Sequence, residues 1–314
     1  MVKLSVVSSF YQSQDYVENF ISRVRKQANQ FGGDYEIIIV NDGSTDNTLK
    51  KTCELAAEQQ DITIINLSRN FGHHKALMKG LAYSRGDFVF VLDSDLEEDP
   101  AWLGAFYEKM QKEEADVVCA VQDIRKGKFF ERATGAIFYK LFNRASDLKV
   151  VPNAMVARLM TRRFVDVLTG YSEQVSFLPG LFAYSGFKQV TLVRKKGDKG
   201  KTSYSFRNRV ELALGSFIRF SDFPLRAILY SGAIISFSSF FSGVYLALKS
   251  VSQGKQADDI YVILTAIGAI GGVILLALGV IGFYLLQVFR EVKRRPDVIV
   301  ESIYKSQTNS DRVN

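Results

Sequence analysis

The stretch Asp87-Phe-Val-Phe-Val-Leu-Asp-Ser-Asp-Leu-Glu-Glu-Asp-Pro100 governs the reading of the whole chain. Phe88 to Leu92 is an unbroken apolar, β-branched and aromatic run, of the length and composition of a buried parallel strand. It ends in carboxylates. Side chains of an extended chain alternate, so Asp93 and Asp95 point the same way and both can reach one hard cation off the strand's carboxyl end. Mg²⁺ or Mn²⁺ suits such a pair, with water and a diphosphate supplying the remaining ligands. An isolated Asp-x-Asp is more often a strand followed by a solvated acidic turn. The sequence on either side is what lifts this one above that.

Upstream and downstream, short apolar runs alternate with helical stretches: Leu4 to Val7, Glu36 to Val40, Ile62 to Leu67, Phe88 to Leu92 and Val117 to Val121. This spacing suits βα units and predicts an α/β fold with a mostly parallel, doubly wound sheet. Ligands of such sheets bind outside the carboxyl ends of the strands. Three of those ends carry chemistry-capable residues: Ser8 to Gln12, Asn41-Asp-Gly-Ser44, and Asp93 with Asp95. Asn41 to Thr45 also reads as a turn in which Ser44 or Thr45 caps the next helix, leaving Asp42 to face a nucleotide. No Gly-x-Gly-x-x-Gly and no Gly-Lys-Ser/Thr loop occurs, which disfavours nicotinamide and P-loop chemistry.

The 314 residues carry a net charge of +7, and almost all of the charge lies before residue 226 or after 289. That asymmetry predicts a soluble part and a membrane part. A basic chain of this kind suits a polyphosphate substrate or an anionic membrane surface; a nucleic-acid binder would need its cations on one exposed face without adjoining apolar spans. Cys53 and Cys119 sit within apolar patterns and read as reduced core thiols. Residues 1 to 20 lack a signal-peptide core, which predicts a cytoplasmic amino terminus.

The chain resembles the family 2 glycosyltransferases, on an ordered set of motifs. These are Ser5-Val-Val-Ser-Ser-Phe-Tyr11, Ile39-Val-Asn-Asp-Gly-Ser-Thr-Asp46, Leu67-Ser-Arg-Asn-Phe-Gly-His73, Arg85-Gly-Asp87 and Asp93-Ser-Asp-Leu-Glu-Glu-Asp-Pro100. More narrowly it is similar to the polyprenyl-phosphate glycosyltransferases, which include dolichol-phosphate mannose synthase and the bactoprenol glucosyltransferases. The resemblance implies a Rossmann-like nucleotide-diphospho-sugar transferase (GT-A) domain and a divalent cation, Mg²⁺ or Mn²⁺. It implies that Asp42 holds the nucleobase, that Ser9, Tyr11, Arg69, Lys75 and Ser94 line the nucleotide pocket, and that Asp93 and Asp95 bind nucleotide and metal. His73 and His74 have no third ligand nearby in sequence and read as loop residues beside the nucleotide.

Departures from the family pattern are informative. The usual proline at the end of the first strand is Ser9, and the usual Gln-Asp-Pro-Pro is Glu97-Glu-Asp-Pro100. Asn153-Ala-Met-Val-Ala-Arg-Leu-Met160 aligns with Asp-Ala-Gly-Asp-Phe-Arg-Leu-Met, so Asn153 and Val156 replace two aspartates, the second often assigned as catalytic base. A phosphomonoester acceptor has a second pKa near about 6 and can attack without giving a proton to the protein. It needs positioning and charge neutralisation instead. Arg158 is the candidate to hold its phosphate; an ion pair at a helix start is the alternative. Arg194 and Lys201 belong to a glycine-punctuated basic loop, Arg194 to Tyr204, suited to closing over a diphosphate.

Two basic, Phe-rich amphipathic helices are predicted near 129–146 and 204–220, suited to a membrane interface. Ala227 to Leu248 and Tyr261 to Phe289 are uncharged and long enough to span hydrocarbon. The chain thus divides into a cytosolic transferase domain (1–225), a two-helix transmembrane region (226–289) and a basic tail (290–314). Arg219 and Arg226 before the first span, and Arg290 to Arg295 after the second, place both ends in the cytoplasm. Gly268, Gly271, Gly272, Gly279 and Gly282 suit close helix packing and favour a homo-oligomer. The expectation is inverting transfer of a sugar, UDP-linked, to polyprenyl (undecaprenyl) phosphate at the bacterial inner membrane. The alternative is a catalytically silent lipid-binding scaffold or flippase partner, favoured by Val156 and Ser203. A processive synthase is disfavoured because Trp102 is the only tryptophan and lies in no Gln-x-x-Arg-Trp motif.

Overall fold

A computed structural model describes residues 2–122, 150–171, 178–195, 197, 260–292 and 296–305. The chain divides into two units, one of Met1–Asn143, Leu148–Ala213 and Pro296–Asn314, the other of Arg144–Asp147 and Leu214–Arg295. All five apolar runs are strands: β1 Leu4–Phe10, β2 Tyr35–Asn41, β3 Ile62–Leu67, β4 Phe88–Val91 and β5 Val117–Val121. Helices α1 Val17–Phe31, α2 Thr48–Ala57, α3 His73–Tyr83 and α4 Trp102–Glu113 separate them. β1 is parallel to both β2 and β4, and β2 to β3. Every residue of β1 and β3 is buried, serines, Thr63 and Asn66 included, as strands in a sheet covered on both faces require.

Three further strands complete a sheet of order β7-β5-β6-β4-β1-β2-β3-β8: β6 Ala154–Thr161, β7 Gln189–Val193 and β8 Val300–Lys305. Between β6 and β7 lie α5 Arg162–Thr169 and α6 Leu178–Tyr184. Two expectations are corrected here. Between β4 and β5 in the sheet stands β6, antiparallel to both, and Arg158 lies within that strand rather than at a helix start. The charge in the middle of Ala154–Thr161 hides its strand character, and pairing on both sides overrides the weak local pattern. Secondly, the stretch read as a basic tail contains β8, which runs antiparallel to β3 and covers its otherwise open edge.

One face of the sheet packs on α1 and α4. Phe10 and Phe20 meet edge to face at 5.1 Å, and Phe90 and Phe106 at 5.9 Å. On the other face, α3 lies so close that a Cβ at Gly80 would come 2.5 Å from Cγ1 of Val7 and 3.0 Å from Cγ2 of Val40. This close approach carries the first turn of α3 to the carboxyl ends of β1 and β2.

In the second unit, α7 Ile260–Val292 is a helix of 33 residues. Among residues whose side chains are described, no helix counts as long and apolar enough to cross a membrane; several positions of α7 are not so described, and its sequence is uncharged from Ile260 to Phe289. The expected interfacial helices, the first expected span and residues 306–314 lie outside the described residues.

Candidate functional site

The loops after β1, β2 and β3 interlock. Asp42, 2% exposed, accepts hydrogen bonds from the amides of Phe71 (2.7 Å) and Gly72 (3.0 Å). Burial pushes its carboxyl above the ordinary value, opposed by these two amides and by His73 and Arg69 nearby. Both oxygens of Asp42, the residue expected to face a nucleotide, thus accept hydrogen bonds from amides of the 71–72 segment. Gly43 completes the contact, with φ +65° and a virtual Cβ only 2.2 Å from the Arg69 carbonyl carbon, so a side chain there would drive the two loops apart.

The expected cap by Ser44 or Thr45 is replaced. Ser44 Oγ accepts the Gln12 amide and Thr45 Oγ1 the Gln12 carboxamide, which joins them to the β1 loop. Asp46 instead accepts the amides of Thr48 (3.1 Å) and Gln14 (3.3 Å), at the start of α2. Burial works against its charge, but hydrogen bonds from Thr48 and Gln14 hold the carboxyl below its ordinary value.

Beyond β4, Asp93 and Asp95 are both half-buried on one turn. Asp95 Oδ1 accepts the Glu97 amide at 3.1 Å, and Leu96 between them takes φ +59°. Ser94 turns inward, its Oγ 3.2 Å from that of Ser13. Glu98, 1% exposed, accepts the Asp93 amide (3.3 Å) with one oxygen and the Val156 amide (3.0 Å) with the other. It braces the acidic turn against β6. Among the described residues no group of three or more His, Cys, Asp or Glu could hold a metal by itself. Two hard oxygen donors at an open strand end nevertheless fit Mg²⁺ or Mn²⁺, which commonly bind through one or two carboxylates and take phosphate and water for the rest.

Ser9 is 7% exposed, and its Oγ lies 2.6 Å from His73 Nδ1; His73 Nε2 in turn lies 3.4 Å from Asp93 Oδ1. Tyr11 stands half-exposed at the mouth. The Arg69 guanidinium lies over the Phe71 ring at 4.2 Å. Lys75 Nζ lies 3.4 Å from Asp297 Oδ1, on the segment leading into β8.

Arg158 is buried on β6. Its Nε donates to the Val156 carbonyl, its Nη2 to that of Met155, and its guanidinium lies 3.9 Å from the Phe182 ring centroid. Burial lowers its pKa, and Cys119, Glu98 and Asp93 oppose that. It forms part of a cleft with His73, Leu77, Met155 and Phe182 beside Asp93. At the other side of the acidic turn, the Gly197 amide donates to the Glu97 carbonyl at 2.8 Å, bringing the start of the basic loop onto it. Arg194 is anchored at the foot of that loop through its amide to the Val121 carbonyl, and Lys201 lies outside the described residues.

Ser9, Asp42, Arg69, Asp93, Ser94 and Asp95 thus gather at the carboxyl ends of β1 to β4, whereas Lys75 and Arg158 flank the cluster. Sequence reading passed over Glu98 and the Ser9–His73 contact. Glu98 is one of three consecutive acids, and only its burial separates it from Glu97 and Asp99.

The family described as Glycosyl transferase family 2 matches residues 5–168. A glycosyltransferase-named protein of Mycobacterium tuberculosis is 38% identical over 305 residues, 97% of this chain and 89% of that one. The prophage bactoprenol glucosyl transferase homolog of Escherichia coli is 30% identical over 308 residues, 97% of this chain and all (100%) of that one. Among solved structures, glucosyl-3-phosphoglycerate synthase from Mycobacterium tuberculosis, with Mn²⁺, uridine diphosphate and glucosyl-3-phosphoglycerate, overlaps at a TM-score of 0.49. It is 17% identical over 69% of this chain and 78% of that chain, too distant to say anything of ligands. With more than half its length in the matched family and full-length relatives at this identity, the chain belongs to the family 2 glycosyltransferases and is a glycosyltransferase.

Proposed function

We propose that the protein transfers a sugar from a nucleotide sugar, UDP-linked, to polyprenyl phosphate at the cytoplasmic face of a bacterial inner membrane. The observation that carries this reading is the pair Asp93 and Asp95 at the carboxyl end of β4, set among loops that Asp42 and Glu98 hold in place. The acceptor class rests on the full-length likeness to a bactoprenol glucosyl transferase homolog. The membrane reading rests on α7, which shows a row of exposed apolar side chains at Ile263, Ile267, Ile270, Ile274, Leu278 and Leu285. At about 1.5 Å per residue its 33 residues exceed the ~30 Å of hydrocarbon in a bilayer. The catalytic unit then faces the cytoplasm, with a second span at Ala227 to Leu248, interfacial helices near 129–146 and 204–220, and glycine-mediated association into a homo-oligomer.

A bound Mg²⁺ or Mn²⁺ would offset the charge that builds on the departing diphosphate. The protein's own part is placement. Asp42 and Gly43 fix the loop at residues 69–72, Glu98 fixes the turn that presents Asp93 and Asp95, and the Gly197 amide is tied to that turn. An oxygen of the acceptor phosphate attacks the anomeric carbon opposite the leaving group. The carbon–oxygen bond to UDP breaks, UDP departs with the electron pair, and configuration inverts. No side chain need take a proton, because the acceptor is largely dianionic at neutral pH, with a second pKa near about 6. Val156 in place of a carboxylate is compatible with that.

Release of UDP by the full chain in detergent, with undecaprenyl phosphate present or omitted, tests the reading. It predicts acceptor-dependent release that falls about a hundredfold or more in Asp93→Asn and Asp95→Asn. Unchanged release in both variants contradicts it.

A further inference from the structure

We propose that Ser9 and His73 form a strut that sets the rotation of the Asp93 carboxylate, a positioning role that rests on Asp93 and Asp95 being the cation's ligands. Ser9 Oγ lies 2.6 Å from His73 Nδ1, and His73 Nε2 lies 3.4 Å from Asp93 Oδ1. An ionised carboxylate only accepts hydrogen bonds, so the ring proton belongs on Nε2. Nδ1 is then the acceptor and the Ser9 hydroxyl the donor, which gives the chain Ser9, His73, Asp93 a single direction.

Nε2 is shut off from solvent and has no hydrogen-bond partner among the described residues; Asp93 Oδ1 is the charged group it faces. A hydrated cation arriving from solvent meets the Asp93 carboxylate, whose side chain is 22% exposed, and not this nitrogen. That distinguishes a strut from a third ligand. Histidine–carboxylate contacts behind a metal are a recurrent way of fixing ligand orientation.

The strut is itself held from the nucleotide side. His73 follows Gly72, and Asp42 grips the amides of Phe71 and Gly72 at 2.7 and 3.0 Å. The 71–73 segment therefore ties the Asn41-Asp42-Gly43-Ser44 motif to the Asp93-Ser94-Asp95 motif. Ser9 stands where the resembled family has proline, which carries no hydroxyl, so the strut is available to this sequence and not to a chain with that proline.

The test is a titration of the full-length protein in detergent with Mn²⁺, UDP being present, following free Mn²⁺ by electron paramagnetic resonance. The strut predicts that His73→Phe weakens Mn²⁺ binding about tenfold or more, as loss of a ligand's orienting partner does elsewhere. Ser9→Ala weakens it less, and adds nothing once residue 73 is Phe, because the two act through one contact to Asp93. His73→Gln, which keeps an N–H donor, recovers part of the loss. Unchanged Mn²⁺ affinity in Ser9→Ala and His73→Phe variants that melt like the parent overturns the strut while leaving the cation site intact. Nitrogen hyperfine coupling from His73 to bound Mn²⁺ overturns it too, by making the ring a ligand. If the parent binds no Mn²⁺ even with UDP, the reading of Asp93 and Asp95 fails and the strut with it.

Discussion

At the scale of single residues, the acids divide into those that face outward and those that hold the frame. Asp93 and Asp95 could be placed together at the end of β4 because they follow a buried run two residues apart, and the flanking motifs set them apart from an ordinary acidic turn. Glu98 was not, since nothing local distinguishes it from the acids on either side; its role exists only once β6 arrives and supplies the Val156 amide. Replacing it by alanine strands two backbone donors, and Glu98→Ala should cost about 2–4 kcal/mol in denaturant unfolding of the full chain. A loss under ~0.5 kcal/mol would mean that the brace is dispensable. Asp46 carries a pH signature. Its folded pKa lies below the ordinary 3.8, so its contribution is present above that value and is lost as pH falls through the folded pKa. Asp46→Asn should therefore melt lower than the parent at pH 7, with the gap closing as acid protonates Asp46. A gap that stays constant from pH 7 to about 2 would contradict the assignment.

At the scale of elements, the parallel half of the sheet could be read directly, because β1 to β4 are short, mostly apolar runs separated by helical stretches. β6 and β8 could not. Arg158 interrupts β6, and β8 (Val-Glu-Ser-Ile-Tyr-Lys) mixes polar and apolar residues without a period, in a stretch that reads as a charged tail. What makes β8 a strand is the open edge of β3, 235 positions away between Asn66 and Glu301, together with a chain of hydrogen-bonded side chains. Glu301 only accepts, so Asn66 must turn Nδ2 toward it (2.8 Å), and Asn66 Oδ1 then accepts from Asn41 Nδ2 (2.7 Å). This fixes both amides and links the segment after α7 to the residue beside Asp42. Glu301→Ala should lower stability by about 1–2 kcal/mol in denaturant unfolding; an unchanged midpoint would show that the chain of amides does not need its carboxylate.

At the scale of the whole molecule, the unit with the sheet and the unit with α7 share one chain, and from Pro296 the chain belongs again to the first, where it adds β8. Under the proposed function, paired carboxylates at a strand end and, in the same chain, segments with the composition of membrane spans suit a water-soluble donor and a lipid acceptor. The most direct measurement incubates the detergent-solubilised full chain with undecaprenyl phosphate, Mg²⁺ or Mn²⁺ and a panel of nucleotide sugars, and follows the lipid by mass spectrometry. The account predicts a new mass equal to the lipid phosphate plus one sugar, made from one donor and absent with Asp95→Asn. Nucleotide binding with no lipid product from any donor in the panel would contradict transfer to a polyprenyl phosphate and favour a silent, lipid-binding role for the same fold.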